Sequence, residues 1–330
     1  MNKEQIKKIS KYVTNPEGNV FCVTNLPGLA GAIYARYSRA ETGFRETLAR
    51  EFLGENGNVK VDKAEDLIER VLNAYGDDSV GELEGTHLSF EQVSNIATKV
   101  IEDKRIGGSP IEQSTRYVFY DKKDENGNFK YLREKRIMES RFRDEFLRTM
   151  DFAFQTYADL VEPMQEYFRK LKLINEAEYA IKPGDSKKYK ISELSDEKDI
   201  KAFNTTYKSD IRTKACDTIR VLLPAATLTN VGIFGNGRYF QGLLTALYSH
   251  ELTEMQDLAV AAHVELNKVI PKFVKRACRD NYLVNTERNM NELTKKLLAE
   301  IQPKESKDVV MLTTSPLYYF NDLVAQMLYK

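Results

Sequence analysis

Residues 104–117 read KRIGGSPIEQSTRY. Lys104, Arg105 and Arg116 stand around a Gly-Gly-Ser-Pro turn with Glu112 between them, so cations and backbone N–H groups crowd one short loop. A phosphate needs that combination, positive charge together with converging N–H donors. Ser114 and Thr115 add hydroxyls, and the alternation of Tyr117, Phe119 and Tyr120 predicts a strand that would hold the loop rigid. By residue type alone, the same mixture also suits a surface turn with its charges solvated on both sides.

The rest of the chain sets the context for that loop. Its 330 residues are enough for a well-buried core, as one large domain or two ordinary ones. With 42% hydrophobic and 30% charged residues, the composition is that of a soluble globular protein. The 49 basic and 49 acidic residues cancel, so no whole-molecule field favours bulk nucleic acid and an anionic ligand must be held locally. His87, His250 and His263 form no HExxH or HxH pattern, and Cys22, Cys216 and Cys278 are far apart, so no metal site is expected. No stretch is apolar over a bilayer's span and the opening MNKEQIKKISKYV is charged, which points to a reduced, cytoplasmic setting without membrane attachment.

The first 135 residues are punctuated by Gly and Asn and predict short strands and helices joined by loops. Phe142, Phe146, Met150, Phe154 and Leu160 predict one long amphipathic helix over 139–174, which Pro163 could kink. Residues 175–208 are rich in Lys, Asp and Ser and read as a polar insertion within a single domain spanning 1–330. Further helices are expected near 209–226, 236–249, 252–281 and 287–301, with the apolar run Val231 to Leu247 read as a helix suited to an interface. The final 309–330, VVMLTTSPLYYFNDLVAQMLYK, is apolar enough to need a partner surface, so the chain is expected either to stop short or to pack its end on another subunit.

The order of residues in RIGGSPIEQSTRY resembles the signature of the flavin-dependent thymidylate synthases, the ThyX family, in which an Arg-His-Arg triplet precedes a Ser and Arg-Tyr follows. Glu112 to Tyr117 match closely. Asp103-Lys104-Arg105 departs from the triplet, eight residues rather than seven separate Arg105 from Ser114, and Ile111 replaces the usual Asn. Ala35-Arg36-Tyr37-Ser38 resembles the family's AARVS element, and Asp78-Ser79 with Glu82 falls at its His-x-Ser-x-x-Glu-His pattern without the histidines. SFEQVSNIATKVIEDKR (89–105) resembles the helix leading into the signature, Arg220 to Pro224 the ARxxLP element, and Asn236-Gly-Arg238 an Asn-x-Arg; Met255-Gln256-Asp257 only faintly echoes the Gln-x-Glu-Ile-Arg helix.

This resemblance implies a mixed α/β fold, a ThyX-like sheet packed against long helices, with active sites between subunits of a homotetramer. It implies FAD as cofactor, NADPH and methylenetetrahydrofolate as co-substrates, and methylation of dUMP to dTMP without a cysteine nucleophile. Carried over by position, Ser114 and Arg116 are the candidate catalytic residues, and Glu112, Gln113, Ser114, Arg116 and Arg220 the candidate dUMP contacts. Arg105, Ser38, Asn236 and Arg238 fall on the flavin side. Because Asp103 puts a negative charge where the family has a cation, two alternatives stand beside full activity: one half of a longer duplicated protein whose other half carries the triplet, or an inactive nucleotide-binding or scaffolding subunit.

Overall fold

The computed structural model describes residues 1–299 except 19, 27, 28, 39, 70–80, 105, 183 and 185. In chain order, α1 (Lys3–Ile9), α2 (Ala30–Tyr37), a short α3 (Phe44–Thr47) and α4 (Val61–Glu69) precede β1 (Gly85–Ser94). Then come α5 (Asn95–Glu102), β2 (Gly108–Glu112), α6 (Lys135–Met138), the 29-residue α7 (Arg143–Leu171) and α8 (Glu197–Ile219). After a 3-10 turn at Arg220–Leu222 follow β3 (Leu228–Asn236), α9 (Gly237–Ser249), α10 (Thr253–Asn267) and α11 (Pro271–Val274). These elements belong to a unit covering residues 1–281, while the second unit begins at Tyr282, so that α12 (Asn281–Leu298) lies in it except for its first residue. The fold is mixed α/β, as expected. No helix among the described residues is long and apolar enough to cross a membrane.

The sheet is antiparallel in the order β1-β3-β2. Thr229, Val231, Ile233 and Gly235 of β3 are buried at every second position, which is why residues 228–236 form a central strand rather than the start of the helix expected over 231–247. The helix begins only at Gly237, where the Asn236 side chain accepts the Tyr239 N–H at 2.8 Å. Val231, Ile233, Phe240, Leu243, Leu244 and Leu247 join the main core with Ile33, Phe52 and Ile101.

Four other expectations are corrected. Residues 89–94 are strand, not helix: β1 bulges between Phe90 and Val93, where Gln92 has a φ of 57°, and α5 starts after its cap Ser94. The strand beside the signature is residues 108–112, not 117–120; Ser114 to Tyr117 is a turn, and Tyr120 is buried with Phe129, Tyr131 and Phe154. The helix expected from 209 begins at Glu197, because Asp196 caps it and Phe203, Tyr207, Ile211 and Ala215 make a buried stripe at four-residue spacing. The supposed helix over 252–281 breaks after Asn267, since Pro271 pushes Ile270 out of helical geometry (φ −132°, ψ 52°).

Within 175–208, Tyr179 pairs with Tyr189, and Ala177, Phe203, Tyr207 and Ile211 form a small core of their own with Phe168 and Ile174 packed on it. The long helix expected over 139–174 is α7, which runs through Pro163. Residues 301–330 lie outside the described residues, as do Asp78, Ser79 and Arg105.

Candidate functional site

Two of the clefts beside the signature segment gather candidate residues. The first, of about 530 Å³, lies between α5 and the end of β2 and is lined by Asn95, Thr98, Lys99 and Glu102 on the helix, by Glu112, Ser114 and Thr115 on the signature, and by Arg220. The helical four sit at i, i+3, i+4 and i+7, the spacing that puts side chains on one face, so they form a polar stripe along the cleft. That stripe was legible in NIATKVIE but was not read as part of the site. Its neighbours Ala97 and Ile101 are buried and anchor α5 to the core.

The signature residues take different places. Glu112 is half-buried at the end of β2, with Thr98 Oγ1 3.4 Å from its carboxylate. Burial pushes its carboxyl above the ordinary value, the charge of Glu102 pushes the same way, and hydrogen bonds from Thr98 and Thr229 oppose both. Gln113 is turned to β3 instead. Its N–H donates to Asn230 O at 2.9 Å and its side-chain oxygen accepts from Asn230 Nδ2 at 3.0 Å, and it is not among the described residues lining this cleft.

Ser114 Oγ accepts the Arg116 N–H at 3.2 Å, and its carbonyl accepts from Tyr117 N at 3.1 Å. The turn is therefore locally braced, and the Ser114 hydroxyl proton stays available to a ligand. Arg116 is not among the described residues lining this cleft: its Nη2 lies 3.1 Å from Asp217 Oδ2, while Arg220 Nη2 lies 3.0 Å from Asp217 Oδ1. The candidates Arg116 and Arg220 are thus brought together through Asp217, a residue the sequence reading passed over although it stands three positions before Arg220.

The second cleft, about 430 Å³, opens at the start of α9 and is lined by Glu82, Asp103, Lys104, Gly107, Asn236 and Arg238 among others. It gathers two flavin-side candidates, Asn236 and Arg238. Each has one side-chain polar atom engaged: Asn236 Oδ1 caps α9, and Arg238 Nη1 pairs with Glu82. Asp103 pairs with Lys99 across the end of α5. Lys104 has no ion pair among the described residues, so the lining sets Lys104 and Arg238 against Glu82 and Asp103. Ser38 is elsewhere, capping α2 with its hydroxyl donating to Ala35 O at 2.9 Å, and is not among the described residues lining either cleft. Met255 is core and Gln256 donates to His250 O at 2.7 Å, so both serve packing.

The glycines of the signature have a structural task. Gly107 has a φ of +84° and its carbonyl accepts from Asn236 N at 3.0 Å, a conformation and an approach that a Cβ would oppose.

Residues 29–272 match the family model described as thymidylate synthase complementing protein. The chain belongs to the thymidylate synthase complementing protein family. Both clefts fall inside the matched residues. Among curated members, a "UPF0159 protein" of Chlamydia muridarum is 42% identical over 288 residues, 84% of this chain and 50% of the relative. One from Thermoplasma acidophilum is 34% identical over 267 residues, covering 80% and 52%. The chain spans about half the length of the curated relatives it matches.

Solved structures that share some likeness include a flavin-dependent thymidylate synthase ThyX from Helicobacter pylori complexed with FAD and dUMP, at 16% identity and a TM-score of 0.38 over 78% of this chain and 96% of that one. A UMP/dUMP methylase PolB from Streptomyces cacaoi, bound with 5-Br dUMP, is 15% identical with a TM-score of 0.43 over 76% and 89%.

Proposed function

We propose that the cleft between α5 and the signature binds a uracil nucleotide, dUMP, and that the whole protein methylates it to dTMP as a flavin-dependent thymidylate synthase. The observation that carries this reading is the meeting of Ser114, Thr115 and Arg220 in one cleft, with Arg116 tied to Arg220 through Asp217, inside a chain of the thymidylate synthase complementing protein family. The phosphate dianion takes the arginine forks and the Ser114 hydroxyl. Glu112 contacts the nucleotide from the same signature wall as Ser114, and Gln113 supports the strand. In this reading the protein is a cytoplasmic homo-oligomer, a tetramer, and draws on methylenetetrahydrofolate and NADPH.

FAD would supply the redox chemistry of the transfer. The described lining of the second cleft offers its diphosphate one cation without an ion pair among the described residues, Lys104, and sets two carboxylates, Glu82 and Asp103, beside it. Arg238 is held by Glu82 and Asn236 by its own helix, and Asp103 stands where the family resemblance expects a cation. That observation favours a second reading, a subunit of the same family that binds the nucleotide without turning it over.

Turnover separates the two. The chain, given dUMP, methylenetetrahydrofolate, NADPH and FAD, should form dTMP and restore growth to a thymidine auxotroph. Tight dUMP binding with no dTMP and no growth would replace the enzyme reading by the binding one.

A further inference from the structure

We infer that Asp217 is the positioning residue of an anion clamp, holding Arg116 and Arg220 at the spacing that receives a phosphomonoester dianion. The inference rests on the proposed nucleotide cleft and names what organises it. Arg116 Nη2 stands 3.1 Å from Asp217 Oδ2 and Arg220 Nη2 3.0 Å from Oδ1, ion pairs by distance, and the buried Oδ1 has no hydrogen-bond partner among the described residues. Among the described residues Nη2 is the nitrogen of each arginine in the ion pair, which leaves Nε and Nη1 to a ligand. Neither guanidinium has another ion partner among the described residues.

A surface ion pair made for stability needs one cation per carboxylate, and such pairs contribute little. Here Arg116, from the turn after β2, and Arg220, from the 3-10 turn after α8, converge on a single carboxylate. Two guanidinium groups held this close repel each other, and the one carboxylate between them offsets only half of their charge. The triad carries a surplus positive charge beside a cleft that Ser114 and Thr115 line with hydroxyl donors suited to phosphate oxygens, and in which Lys99 stands with Glu102 and Glu112. With side chains 47% and 42% exposed, neither arginine would be fixed by packing alone. Asp217 supplies the constraint.

Asp217→Asn tests this, because the amide keeps one acceptor but turns an NH₂ donor toward the other guanidinium, freeing one arginine. Calorimetric titration of the full chain with dUMP should show affinity about tenfold weaker in Asp217→Asn, the scale of one charge-assisted contact. Asp217→Glu should recover most of it, and the melting midpoint of all three proteins should agree. Wild-type affinity in Asp217→Asn would overturn the inference and leave the nucleotide reading standing. Equal losses in Asp217→Asn and Asp217→Glu with a lowered midpoint would show a merely structural carboxylate, which also overturns it. Failure of the unaltered chain to bind dUMP would remove the nucleotide reading itself, and the clamp with it.

Discussion

Gly108 lies directly against the ring of Tyr239: a Cβ built at Gly108 would stand 2.4 Å from Tyr239 Cε2. Gly235, the residue paired with Gly108 across β2 and β3, faces the same ring, its own Cβ falling 2.4 Å from Tyr239 Cδ1. Two bare positions on adjacent strands thus make the slot in which the first turn of α9 seats, and the slot sets how close the signature segment comes to that helix. Gly108→Ala should destabilise the fold by about 1–3 kcal/mol, the usual scale of overpacking, seen as a lower urea midpoint with an unchanged slope. An unchanged midpoint would mean that Tyr239 can step aside.

Glu112 gives a dependence on pH with a definite sign. Its carboxyl is raised above 4.5 by burial and by Glu102. A carboxyl raised by folding helps the folded state in full only below its unfolded value, and that help is lost as pH rises through the folded value. Glu112→Gln, which cannot ionise, should therefore melt higher than the unaltered chain at pH about 7.5, by roughly 1–3 °C for a group so partly exposed. The gap should close at pH about 4. A variant that melts lower at the higher pH would show that the ionised form is the favoured one.

Asp210 titrates the other way. Burial raises its carboxyl, but hydrogen bonds from Lys172 at 2.5 Å and Tyr179 at 2.8 Å outweigh it and hold the group below 3.8. Its contribution is present above the unfolded value and fades as pH falls through the folded one. Asp210→Asn should cost on the order of 0.5–1 kcal/mol near neutrality, measured by chemical unfolding, and the cost should shrink as pH falls below 3.8.

Part of the candidate cleft is legible in the sequence. EQSTRY marked Ser114 and Arg116, and Arg220 followed from RVLLP, because short contiguous motifs keep their residues in order. What stayed hidden depends on contacts distant in sequence. Asp217 gains its meaning only when the turn after β2 meets the end of α8, and Gln113 turns away from the cleft only because β3 offers it Asn230. For the fold, the apolar run from Val231 was misread because a buried central strand and a buried helix look alike over so short a stretch, and the strand shows only in the register with β1 and β2. The charged opening of α8 was taken for loop because its buried stripe starts at Phe203, after several polar residues.

The insertion's small core should stand apart energetically. Phe203 is fully buried between α8 and Tyr179, with ring centroids 5.2 Å apart. Phe203→Ala should cost about 3–5 kcal/mol in that cluster, and hydrogen exchange should show 175–208 opening while β1, β2 and β3 stay protected. Equal loss of protection in the sheet would mean that the two regions unfold as one.

The central claim is that a uracil nucleotide lies along α5 with its phosphate at the signature turn, and a crystal structure of the chain with dUMP tests it most directly. The phosphate should lie within hydrogen-bond distance of Ser114 Oγ and of the Arg220 guanidinium, and Arg116→Ala should leave the cleft empty at the same dUMP concentration. A nucleotide found in the cleft at the start of α9, or in neither cleft, would contradict the account.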